Sequence, residues 1–116
     1  MQTVSKFVLT RDRRRFKRYI VRGSAACKGR QGETHGALLN LGEGGLLVRA
    51  ESPYQGKTDI SVLFHVTNYP NAIASEGRIV EISGDLLAIE FLAKPNGLDM
   101  LLHWLEEAHY AWSGVA

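Results

Sequence analysis

Two short stretches hold residue types and spacings that could do recognition chemistry: "RDRRRFKR" at residues 11 to 18 and "NLGEGG" at residues 40 to 45. The first gathers six cations and one acid, Asp12, around a single aromatic side chain, Phe16, and contains the spacing Arg14-x-x-x-Arg18. Guanidinium groups are planar, permanently charged forks that can grip an anion through two hydrogen bonds at once, where lysine offers a point charge. The second stretch holds Asn40-x-Gly42-x-x-Gly45 between the apolar runs "ALLNL" and "LLV". An asparagine amide both donates and accepts, and glycines let backbone N–H groups come close to a bound group.

The charge is unevenly placed. The first 30 residues carry ten Lys/Arg against Asp12 alone, a charge of +9, while the remainder carries −7, so the net +2 conceals a basic end on an acidic body. Such polarity points to an anionic partner at the N-terminal end: nucleic acid, a membrane surface or a phosphorylated small molecule. The alternative is a basic tail that merely neutralises the acidic body.

Catalytic constellations are sparse. His35, His65, His103 and His109 lack zinc-like spacing, and one cysteine, Cys27, cannot supply the soft ligands of a structural metal site. Glu106 and His109 share a helical face, but a di-metal bundle site needs a second such pair. There is no nucleophile elbow and no phosphate-binding loop opening a helix. The chain is therefore read as a non-enzyme without metal. No apolar run approaches the roughly 20 residues that span a bilayer, and "FVLT" after Lys6 is too short for a signal peptide, so a cytoplasmic location is expected. The lone cysteine agrees with a reducing compartment.

These stretches need a scaffold, and 116 residues suffice for one domain with a real core. "DISVLFHV" puts Ile60, Val62, Phe64 and Val66 on one face at the strand period of two. "EGRIVEISGDLLAIEFL" predicts a hairpin turning at Gly84-Asp85, with Val80 and Ile82 aligned on the apolar residues that follow. "YIVRGSAACKG" alternates weakly, and the glycine cluster of "NLGEGG" breaks two apolar runs at a turn. About six short strands favour a small closed antiparallel barrel, because closure removes exposed edges. The period then changes: Leu98, Leu101, Leu102, Leu105, Ala108 and Trp112 fall at helical spacing behind an N-cap at Asn96. That helix is expected to cover one barrel mouth or face, with a dimer contact through Trp104 or Trp112 as the alternative. The expected division is a flexible basic arm over residues 1–18 and a barrel with its helix over residues 19–116.

The pair Arg14-x-x-x-Arg18 and Asn40-x-Gly42-x-x-Gly45, in this order and on such a barrel, resembles the PilZ domain family, from about Arg11 to Trp112. The resemblance implies a six-stranded antiparallel barrel with a C-terminal helix, and a bacterial receptor for the second messenger cyclic di-GMP. Arg14, Arg18, Asn40, Gly42 and Gly45 then become ligand-binding residues. Arginines suit this ligand because a guanidinium can meet a phosphodiester, pair with guanine O6 and N7, or stack on the base. Phe16 is read as an anchor against the barrel. For Arg13, directly before the first motif, the resemblance implies binding of a stacked pair of ligand molecules, whose four negative charges a third guanidinium would help offset. The resemblance further implies a stand-alone adaptor that orders its arm on binding ligand and offers the changed surface to a downstream protein.

One departure bears on affinity. The family pattern has serine where this chain has Gly42, and a lost neutral hydrogen bond costs about 0.5–1.5 kcal/mol. Two other readings follow: a degenerate PilZ domain acting only as a protein-interaction module, or a barrel whose arm binds nucleic-acid phosphates. The acidic body and the lack of an aromatic row for stacking bases weigh against the latter.

Overall fold

Alternating apolar and polar residues become six antiparallel strands among the described residues, which are residues 17–113 of a computed structural model, with side chains described through residue 108. The strands are β1 (Arg18–Gly29), β2 (Gly32–Gly42), β3 (Gly45–Arg49), β4 (Thr58–Val66), β5 (Ile73–Ser83) and β6 (Leu86–Phe91), followed by helix α1 (Leu98–Ser113). They pair in the order β1-β2-β3-β6-β5-β4, and β1 returns to pair with β4 from Gly23↔Val66 to Gly29↔Ile60. The sheet is thus a closed barrel, and both strands that would have been edges have their backbone groups paired. This is the six-stranded barrel with a C-terminal helix that the sequence leads one to expect.

The core follows the period of two. Ile60, Val62, Phe64 and Val66 all point inward and are at most 3% exposed, against Leu38, Leu41, Leu46, Val48, Ile79, Leu87 and Ile89 from the other strands. Phe64 stacks on Phe91 with ring centroids 6.0 Å apart. The hairpin of β5 and β6 turns at Gly84-Asp85 between the paired Ser83 and Leu86, with Gly84 at φ 62°. One residue departs from its expected place. Ile82 pairs with Leu87, but Val80 falls in a bulge between Ile79 and Glu81 and is 40% exposed, while Ile79 takes the inward position opposite Ile89. The extra residue of a bulge inverts the alternation, so the apolar side chain in register with the core changes from Val80 to Ile79.

Helix α1 closes one mouth of the barrel. Its Leu98, Leu101 and Leu105 are buried with the core, and Trp104 packs on Tyr69, from the β4–β5 connection, at a centroid distance of 5.2 Å. Trp104 is thus part of the lid, while the side chain of Trp112 lies outside the described residues. The cap is displaced by one residue from the sequence expectation. The Gly97 carbonyl accepts the first helical hydrogen bond, from Leu101 N–H at 3.2 Å, so Gly97, at φ 88°, takes the N-cap place instead of Asn96. At the opposite mouth, buried Tyr54 donates its hydroxyl to the Gly32 carbonyl at 2.9 Å. No helix among the described residues is long and apolar enough to cross a membrane.

Candidate functional site

The two motifs meet where β1 begins and β2 ends. The ladder sets Arg18 opposite Gly42, Tyr19 opposite Leu41 and Ile20 opposite Asn40, so pairing alone brings the second arginine of one motif beside the first positions of the other. Arg18 Nη1 donates to Asn40 Oδ1 at 3.0 Å. The strand alternation turns Arg18, Ile20 and Arg22 outward and Tyr19 and Val21 toward the core and helix. The result is an outward face with a guanidinium fork and an amide held together. The amide oxygen of Asn40 is thus engaged by the guanidinium.

Gly42 is buried, and its backbone lies outside the positive-φ region that favours glycine. Its requirement is space: a Cβ there would stand 2.6 Å from the Lys17 carbonyl oxygen. The serine of the family pattern would not fit this backbone without displacing the chain that leads into Arg18. Gly45 is needed for a different close approach, because its Cβ would lie 2.1 Å from the Ile89 carbonyl, across the β3–β6 ladder. Between them, Glu43 in the turn accepts from Lys94 at 3.1 Å, and Lys94 also reaches Asp99 in the first turn of α1 at 3.1 Å. These carboxylates raise the pKa of Lys94, the hydrogen bond to Asp99 first. The turn of the second motif is thereby tied to the start of the helix.

The strand bearing Arg18 is tied to the same helix. Tyr19 donates its hydroxyl to the Glu106 carboxylate, which Lys17 Nζ approaches at 3.2 Å, and the Lys17 ammonium also lies 5.9 Å from the Tyr19 ring centroid. Burial first, and then the Glu106 carboxylate, push the Tyr19 phenol up to about 12. Sequence reasoning did not single out Tyr19 or Glu106 for this contact: they are 87 residues apart, and no local pattern links them.

Arg13 and Arg14 lie outside the described residues, as does Phe16 and nearly all of the expected arm at residues 1–18; Arg18 itself belongs to β1. Among the described residues, no cluster of three His, Cys, Asp or Glu side chains could hold a metal. A concavity of about 280 Å³ lined by Ala26, His35, Leu63, Ala74 and Glu76, among others, includes no motif residue. Among the described residues, the candidate site is an outward face of the barrel where β1 begins and β2 ends.

Three comparisons bear on this arrangement. No curated protein matches the chain in sequence. Among solved structures, the Bacillus subtilis inhibitor of motility (MotI/DgrA) has the same fold, with a TM-score of 0.71 at 15% identity. The match covers 84% of this chain and 52% of that one, so the present chain spans about half the length of that protein. The profile of the PilZ domain matches residues 12–107, a span that contains both motifs, all six strands and the buried part of the helix. With the barrel order, the helix lid and the joined motifs in agreement with that match, the chain belongs to the PilZ domain family.

Proposed function

We propose that this chain is a cytoplasmic cyclic di-GMP receptor, a binding module without catalysis of its own, which passes ligand occupancy to a protein partner. The observation that carries this reading is the Arg18–Asn40 hydrogen bond at 3.0 Å, which joins the two motifs on one open face of the barrel. Family membership supports it, since PilZ domains are cyclic di-GMP receptors and adaptors. On this face, Arg18 meets a phosphodiester or the O6/N7 edge of guanine, and Asn40 adds a donor to the base or phosphate. Arg13 and Arg14 enter from the segment before Lys17 and complete the grip, with Arg13 admitting a second, stacked ligand. The ordered segment and the adjoining barrel face then make the surface a partner reads.

A second reading has one observation in its favour. The Lys17 carbonyl occupies the space a serine side chain would need at position 42, so this chain could keep the fold as an interaction module while binding no nucleotide. Fluorescence titration with cyclic di-GMP beside a single-stranded oligonucleotide tests both readings. Saturable binding of cyclic di-GMP alone supports the receptor. Binding of neither supports the interaction module, and preference for the oligonucleotide contradicts both.

A further inference from the structure

Ile20 is 93% exposed, an unusual position for a large aliphatic side chain in the first strand of a barrel. Single exposed apolar residues are common and by themselves mean little. Ile20, however, is not isolated. It lies opposite Asn40, Asn40 lies opposite Leu47 on β3, and Leu47 lies opposite Ala88 on β6. Directly opposed residues share a face of the sheet. Leu46 and Val48 on either side of Leu47 are fully buried, so Leu47 points outward with the others. A row of Ile20, Asn40, Leu47 and Ala88 therefore crosses four strands on the outside of the barrel, apolar except for the amide that accepts from Arg18. Ile20 also stands between Arg18 and Arg22 on the outward side of β1.

A phosphate bound by Arg18 would gain nothing from this aliphatic neighbour, whereas a purine presents an apolar face beside its polar edge. We propose that Ile20 is a ligand-contacting specificity residue, whose side chain packs on the face of a guanine while Arg18 and Asn40 hold the polar groups of the same ligand. The assignment rests on the cyclic di-GMP reading above. A β-branched side chain suits the role, because its χ1 is already restricted and little rotamer freedom is lost on contact.

The test is calorimetric titration of the full chain with cyclic di-GMP, comparing wild type, Ile20→Ala, Ile20→Leu and Arg18→Ala, with thermal unfolding of each. Ile20→Ala removes apolar contact worth about fivefold to tenfold in affinity. It should leave the melting temperature unchanged, since the side chain is 93% exposed, and Ile20→Leu should retain most of the affinity. Undiminished binding by Ile20→Ala, alongside a loss of more than about tenfold for Arg18→Ala, would overturn the role of Ile20 and leave the receptor reading standing. Absence of binding by the wild type would overturn both.

Discussion

Tyr19 on β1 donates its hydroxyl to Glu106 on α1, and so fastens the strand that carries Arg18 to the helix that closes the barrel. Lys17 reaches the same carboxylate at 3.2 Å, and on the other motif Lys94 bridges Glu43 to Asp99. Both halves of the candidate site are thus tied to one helix.

That contact has a pH signature. Burial and Glu106 raise the Tyr19 phenol from 10.0 to about 12, so the folded state favours the neutral form. The associated stability is present in full below pH 10 and is lost as pH rises through about 12, where a tyrosinate would face a carboxylate. Alkaline titration followed by tyrosinate absorbance should show a late-ionising group that moves to lower pH in Glu106→Gln. A titration unaffected by Glu106→Gln would contradict the contact.

Lys17 and Arg18 are adjacent cations with different expected effects. The Lys17 ammonium is held by Glu106, whereas Arg18 is on the motif face beside Asn40. Arg18→Ala should weaken cyclic di-GMP binding about tenfold to a hundredfold, the range of a charge-assisted hydrogen bond. Lys17→Ala should cost only a few-fold and more at low salt, as expected of diffuse attraction. Equal small losses at both positions in calorimetry would indicate nonspecific charge.

Gly42→Ser restores the family pattern but not the space for it. With a Cβ 2.6 Å from the Lys17 carbonyl, the substitution must move the backbone entering β1. Overpacking of this kind costs about 1–3 kcal/mol. Thermal unfolding should show a drop of several degrees or more, at about 4 °C per kcal/mol, where the ranges for smaller and larger domains meet, without tighter cyclic di-GMP binding. An unchanged melting temperature with improved affinity would show that the segment yields freely.

The role proposed for Arg13 is tested by ligand stoichiometry. If it supports a stacked ligand pair, calorimetry on the wild type should give about two ligands per chain, and Arg13→Leu about one, with binding still measurable. A ratio of one in both proteins would remove this role from Arg13 while leaving Arg18 and Asn40 in place.

Much of the fold was readable because period-two alternation maps directly onto inward and outward faces: Ile60 to Val66 and the Gly84-Asp85 turn lie where the pattern puts them. Val80 was misplaced because a bulge leaves no trace in composition, only in the ladder between Ile79 and Glu81. The helix cap moved from Asn96 to Gly97 because both residues suit a helix start and hydrogen bonding decides between them. At the candidate site, the spacing singles out the segments of Arg18, Asn40, Gly42 and Gly45, and strand register joins Arg18 to Asn40. The Glu106 clasp and the close approach at Gly42 arise from residues distant in sequence, so neither could be read before the strands and helix were in place.

The most direct test of Arg18 and Asn40 as one cyclic di-GMP site is a double-mutant cycle by calorimetry on wild type, Arg18→Ala, Asn40→Ala and the double variant. Saturable wild-type binding, a clear loss in each single variant, and a double variant that loses less than the two losses combined are expected of residues that bond each other and share a ligand. No saturable heat with the wild type, or equal affinity across all four proteins, would contradict it.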